Sequence, residues 1–169
     1  MAPKPASIKV RALQWLAQRE HSRIELRGKL LRLMPEDTEP AEAASEVDAL
    51  LDWLSTHGHL SQERFVESRV NARQSRFGNL RIQRELQMHG ASLDASARQA
   101  LRDTELDRAR EVWRKKYGAM AGGQVPADAA ARVRQMRYLS GRGFTPEVIR
   151  RVVKEGDMPE ESSSQDPDD

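Results

Sequence analysis

Apolar side chains recur through this chain at three- and four-residue steps and show no sustained alternation of two, so its regular structure is expected to be all-α. Val10, Leu13, Leu16 and Ala17 share one face of a first helix from about Ser7 to Arg19. Ser22 and Glu25 stand at capping-box spacing, in which the hydroxyl accepts a free first-turn N–H and the carboxylate reaches back. The helix starting there turns Ile24, Leu26, Leu30 and Leu33 inward, and Pro35 ends it. Beyond the acidic linker Pro35 to Pro40, Ala44, Val47, Leu50, Leu51 and Leu54 mark a third helix closing near Gly58. Ser61 caps a fourth with Phe65, Val66 and Val70; Leu80, Ile82 and Leu86 make a fifth after Gly78; Asp94 caps a sixth with Ala97 and Leu101. Leu106, Ala109, Val112 and Trp113 form a seventh. Past the glycine-rich stretch Gly118 to Pro126, Val133, Met136 and Leu139 form an eighth, and Thr145-Pro146-Glu147 opens a ninth with Val148, Ile149, Val152 and Val153.

About nine short helices suit a chain with 38% hydrophobic and 32% charged residues, below the roughly 45 to 50% apolar share of an average globular domain. Such a composition disfavours one large core and favours small units in which each helix needs a single apolar stripe. The sequence also repeats. Ser22, Ile24, Leu26 and Leu30 match Gly78, Leu80, Ile82 and Leu86 at identical spacing. A stop-and-start cassette of leucine, glycine, an apolar residue and a capping side chain occurs as Leu54, Gly58, Leu60, Ser61, as Leu86, Gly90, Leu93, Asp94 and as Leu139, Gly143, Phe144, Thr145. The first copy falls between modules and the others within them, so the cassette can equally reflect general helix capping. The expected division is three three-helix modules, residues 7–58, 59–104 and 105–156, followed by a polar acidic tail, 157–169, for which disorder is the default.

Three stretches carry a family likeness. The first holds Ala12-Leu13, Arg19-Glu20-His21-Ser22, Glu25-Leu26 and Lys29-Leu30. The second holds Gly58, Leu60, Arg64-Phe65, Arg73, Arg76, Gly78, Ile82, Glu85-Leu86 and Gly90; the third holds Tyr138-Leu139, Arg142-Gly143-Phe144 and Ile149. In order, spacing and helical phase they resemble the RecX family of regulatory proteins, over about residues 8 to 155. The linker Pro35 to Pro40 departs from the family's short glycine-containing turn, and the tail after Gly156 has no counterpart. The resemblance implies tandem three-helix modules in an extended, curved array. It also implies a non-enzymatic protein that binds the RecA nucleoprotein filament and suppresses filament growth, ATP hydrolysis, strand exchange and co-protease action, so modulating recombination, repair and the SOS response. At most weak direct DNA binding and a monomeric state are expected beside it. The competing reading is a stand-alone helical DNA-binding protein, since basic three-helix units are also the material of helix-turn-helix domains.

Charge marks the candidate contacts. Net charge is +2, but Asp157, Glu160, Glu161, Asp166, Asp168 and Asp169 leave residues 1–156 with 28 basic and 20 acidic side chains. Arg69, Arg73 and Arg76 fall at four- and three-residue steps on one face of the fourth helix, and Arg81 and Arg84 continue the run. Guanidinium forks pair bidentately with carboxylate or phosphate, although a solvated helix face needs no such partner. Further on, Arg132, Arg134, Arg137, Arg142, Arg150, Arg151 and Lys154 stand against Glu147 alone. The residues expected to touch RecA or DNA are Arg69, Arg73, Arg76, Arg137, Arg142 and Arg150. Phe77, at a helix break, fits core packing as the ordinary reading and an exposed stacking side chain as the functional one. The acidic tail could fold back on the basic third module.

Other chemistries find no residues. Cysteine is absent, which excludes disulfides, thiolate metal sites and cysteine nucleophiles. His21, His57, His59 and His89 form no ligand set, so no metal is expected. Gly118, Gly122 and Gly123 lack the Lys-Ser/Thr of a phosphate loop. Glu20, Glu25 and Asp48 sit among bases as ion-pair partners, no catalytic pair stands out, and no cofactor is expected. The start MAPKPA carries no apolar core, and no stretch approaches the ~18 apolar residues of a membrane span, so a soluble cytoplasmic protein is expected.

Overall fold

In the computed structural model, residues 7–118 and 128–156 are described; the glycine-rich stretch 119–127 and the acidic tail 157–169 lie outside them. All regular structure among the described residues is helical: α1 (Ile8–Gln18), α2 (Arg23–Leu31), α3 (Pro40–Thr56), α4 (Gln62–Arg73), α5 (Asn79–Met88), α6 (Ala95–Tyr117), α7 (Ala129–Gly141) and α8 (Pro146–Gly156). Eight helices replace nine because the expected sixth and seventh are one. No glycine or proline lies within α6, and its buried stripe runs Leu101, Glu105, Ala109, Val112. The carboxylate at position 105 hides the continuity in the sequence, since it interrupts the apolar period.

Helix ends follow the local chemistry. Ser22 Oγ accepts the Glu25 N–H at 3.1 Å and Asp94 Oδ1 that of Ala97 at 2.7 Å. The Glu25 carboxylate turns away from the expected capping box and pairs with Arg19. All three leucine-glycine cassettes form the same C-terminal cap. Gly58, Gly90 and Gly143 have positive φ, and the N–H after each bonds back to the leucine carbonyl: His59 to Leu54 at 2.9 Å, Ala91 to Leu86 at 2.9 Å, Phe144 to Leu139 at 3.3 Å. This is the Schellman arrangement, which the left-handed conformation of glycine permits.

The chain divides into two compact units, one of residues up to Ala72 with Gln83–Leu93, the other of Arg73–Ile82 with Asp94 onward. In the first, Ala12, Leu26, Leu30, Val47, Leu51, Leu54 and Leu60 form the core, with Trp15, Leu16 and Trp53 packed at its margin. In the second, Ala109, Val112, Leu139, Phe144, Ile149, Val152 and Val153 pack from α6, α7 and α8. Several residues expected inside are exposed: Val10, Ile24, Leu33, Leu80, Val133 and Met136. Leu33 lies past the end of α2. Ile24, Leu80 and Val133 share a cause, each standing two residues before the first of two buried positions four apart: Leu26 and Leu30, Ile82 and Leu86, Gln135 and Leu139. The repeat read from the sequence therefore extends to burial. Ile24 is not idle, for a Cβ on Gly90 would lie 2.7 Å from its Cδ1.

His21 is buried between α1 and α2. Its Nδ1 faces the Arg19 carbonyl oxygen at 2.9 Å and so donates; its Nε2 accepts from Lys29 Nζ at 3.2 Å. Burial pushes its pKa below the ordinary imidazole value, against the opposing effect of the Arg19 carbonyl. Around and below the unfolded pKa of about 6.5 the unfolded chain takes up a proton that the folded chain refuses, so stability falls as pH drops through that window. The melting temperature is expected to fall more between pH 7.5 and 5.5 in the parent than in His21→Gln; parallel curves would contradict this role.

Candidate functional site

The second unit gathers cations around one ring. Beyond α4, the N–H groups of Arg76 and Phe77 both bond the Arg73 carbonyl at 3.0 Å. Gly78 then donates to the Arg142 carbonyl and Leu80 to the Gly143 carbonyl, each at 3.0 Å, so the start of α5 docks on the turn that ends α7. That approach requires glycine: a Cβ at position 78 would stand 2.3 Å from Gly143 O and from the Phe144 backbone. Two segments far apart in sequence thus place their arginines together. The guanidinium carbons lie 5.6 Å (Arg73), 5.7 Å (Arg76), 4.2 Å (Arg81) and 5.6 Å (Arg142) from the Phe77 ring centroid. Arg142 also lies 5.1 Å from the Tyr138 ring, and Lys116 Nζ 5.7 Å from that ring, so cations and aromatics alternate.

A buried polar brace holds this arrangement. Glu105 Oε1 accepts the N–H of Asn79 at 2.9 Å and of Thr145 at 3.2 Å, while Oε2 accepts the Thr145 hydroxyl at 3.0 Å. One carboxylate on α6 therefore binds the first turns of both α5 and α8, where orphan donors and the helix dipoles favour negative charge. Three residues on, Arg108 donates to the carbonyls of Phe77 at 2.9 Å, Gln74 at 3.1 Å and Leu101 at 2.9 Å, and to Asn79 Oδ1 at 2.6 Å. Burial lowers its pKa from the ordinary arginine value, and Glu105 opposes that effect.

Four guanidinium groups on one ring repel one another unless an anion joins them. Among the described residues no carboxylate stands within 4.0 Å of Arg76 or Arg142. Cation–π contact offsets part of the repulsion, at about 0.5–1 kcal/mol per exposed pair. A guanidinium fork such as those of Arg76 and Arg142 can take a carboxylate or phosphate oxygen in bidentate fashion.

The structure brings together Arg73, Arg76 and Arg142 of the expected contacts. It does not place Arg69, Arg73 and Arg76 on one helical face, because α4 ends at Arg73 and Arg76 lies in the turn beyond. Arg69 belongs to the first unit, 5.4 Å from the Phe65 ring and 3.4 Å from His89 Nε2, in a cleft of about 360 Å3 with Arg19, Glu20 and Ser68. Arg150 lines a separate cleft on α8, and Arg137 is exposed on α7. Phe77 is 8% exposed, buried under its arginines. Arg81, the cation nearest the ring, belongs to the basic run seen in the sequence but not to the expected contacts, and the Glu105–Arg108 pair does not stand out there at all. The doubled Ser22/Gly78 register is the available signal, since it marks Gly78 as the entrance to a second helix.

The likeness of this chain to known proteins agrees with its helical architecture. The family profile described as RecX, third three-helix domain, matches residues 103–153, which comprise the latter part of α6 with α7 and α8. A protein of Leptothrix cholodnii named Regulatory protein RecX is 46% identical over 153 residues, covering 89% of this chain and 90% of that one. Its namesake in Ralstonia pickettii is 42% identical over 156 residues, with 91% of each chain covered. The chain belongs to the RecX family. The crystal structure of RecX from Lactobacillus salivarius shares its fold, with a TM-score of 0.65 over 89% of this chain and 94% of that one at 16% identity. Both of these relatives are named regulatory proteins, and among the described residues of this RecX-family member no helix is long and apolar enough to cross a membrane.

Proposed function

We propose that this chain binds the RecA nucleoprotein filament and inhibits its recombinase, ATPase and co-protease activities, acting as a monomer in the cytoplasm with three successive helical modules, 7–58, 59–104 and 105–156, the last two sharing the continuous helix α6. The convergence of Arg73, Arg76, Arg81 and Arg142 on Phe77 carries the reading, because it is a preformed cationic surface with no described carboxylate paired to two of its members, Arg76 and Arg142. An acidic face of a protein filament fits it, and electrostatic complementarity of this kind governs partner choice and association rate. No chemistry by this chain is required. A ligand that binds a non-extending or inactive filament more tightly than an active one shifts the population by its differential affinity. The relatives' name, regulatory protein, supports control rather than catalysis.

The alternation of arginine with Phe77 and Tyr138 also favours a second reading, direct binding of a phosphate backbone. The two separate in one titration. As a RecA modulator the chain lowers single-strand-DNA-dependent ATP hydrolysis by RecA at substoichiometric ratios. As an autonomous DNA-binding protein it leaves hydrolysis per filament intact and binds DNA alone, with log affinity falling against log salt by about 0.9 per duplex phosphate neutralised.

A further inference from the structure

α7 and α8 form a cationic cleft apart from the Phe77 cluster. Its volume is about 360 Å3, and Arg132, Arg150 and Lys154 line it over a floor of Met136 and Val153. The acid nearest in sequence is already engaged: Glu155 Oε2 lies 2.8 Å from Arg110 Nε and its Oε1 3.1 Å from Arg151 Nε. Among the described residues no carboxylate stands within 4.0 Å of Arg150 or Lys154. Two residues after Lys154, α8 ends at Gly156. Beyond it come thirteen residues with six acids, no base, and one large apolar side chain, Met158.

We propose that this cleft is the docking surface for the chain's own acidic segment, residues 157–169, which occupies it and masks it from external polyanions. Reach is no obstacle, since an extended chain spans roughly 3.3–3.6 Å per residue and the cleft begins beside the segment's root. Charge is complementary: Arg150 and Lys154 meet Asp157, Glu160 and Glu161, and the apolar side chains of the cleft offer Met158 a surface. Because the segment is tethered, its effective concentration at the cleft reaches about the millimolar range, so weak individual ion pairs suffice. The inference is independent of RecA binding.

The test uses the full chain with 13C-methyl methionine, reading the Met136 methyl resonance, assigned by Met136→Leu. In the partner variant all six tail acids become amides: D157N, E160Q, E161Q, D166N, D168N and D169N. The Met136 resonance is expected to differ between the two chains at 50 mM salt and to coincide near 0.5 M, where the screening length shrinks to about 4 Å. In an R150Q/K154Q background the difference should vanish. A heparin oligosaccharide, as external probe, should half-saturate the Met136 shift at a concentration about 3- to 10-fold lower once the tail is neutral. A Met136 resonance indifferent to the tail acids, a shift that persists in R150Q/K154Q, or unchanged heparin half-saturation would each overturn the proposal.

Discussion

Replacing Glu105 with alanine is expected to destabilise the second unit by about 3–5 kcal/mol, a large fraction of the stability of any small helical unit. The carboxylate satisfies the buried Asn79 N–H and the half-buried Thr145 N–H and hydroxyl. Each buried donor left unpaired costs about 1–3 kcal/mol, and the neighbouring half-buried guanidinium of Arg108 loses its countercharge. Glu105→Gln should be milder, near ~1 kcal/mol, since its amide oxygen still accepts both backbone N–H groups and Thr145 can reverse its hydroxyl. Urea unfolding of the two variants measures the difference. Equal losses in alanine and glutamine would show that packing, and not donor satisfaction, is the role of this residue.

Gly78→Ala is expected to cost about 2–3 kcal/mol, although it adds one methyl group. The added Cβ would meet Gly143 O and the Phe144 N and Cα at 2.3 Å, all backbone atoms, so no side-chain rotation can relieve the overlap. The Gly78 to Arg142 and Leu80 to Gly143 hydrogen bonds would stretch, and the Phe77 cluster would open with them. Gly28→Ala is the contrasting case. That glycine lies inside α2 with nothing within 4 Å of its missing Cβ, so alanine should stabilise by about 0.5–1 kcal/mol. Opposite signs are the prediction; a loss at position 28 as large as that at 78 would mean that helix position, not backbone approach, decides.

Much of the fold is legible in the sequence because the chain punctuates its helices plainly. Ser22, Asp94 and the three glycine caps each act through bonds between near neighbours, which spacing reveals. Glu20, Glu25 and Asp48 do find basic partners, in Arg64, Arg19 and Arg27. What spacing does not show is long-range. Glu105 reads as a break in an apolar stripe until Asn79 and Thr145 are seen to need it. Ile24 and Leu80 read as core because they are aliphatic, whereas each stands at the rim where a second helix begins. The arginine cluster is half legible: local density marks Arg73, Arg76 and Arg142, but only the docking of Gly78 on the turn after α7 joins them and recruits Arg81.

The Phe77 cluster as the filament-binding surface is tested most directly by the concentration that half-inhibits RecA ATP hydrolysis on single-stranded DNA. Arg76→Gln/Arg142→Gln should raise it at least about tenfold, equivalent to a loss of about 1.4 kcal/mol in binding, with the melting temperature kept or slightly raised as repulsion is relieved. Arg102→Gln, exposed on α6 and not among the expected contacts, serves as the control and should shift it less than about twofold. Half-inhibition by the double variant at the parent concentration would contradict the assignment of this surface to the filament.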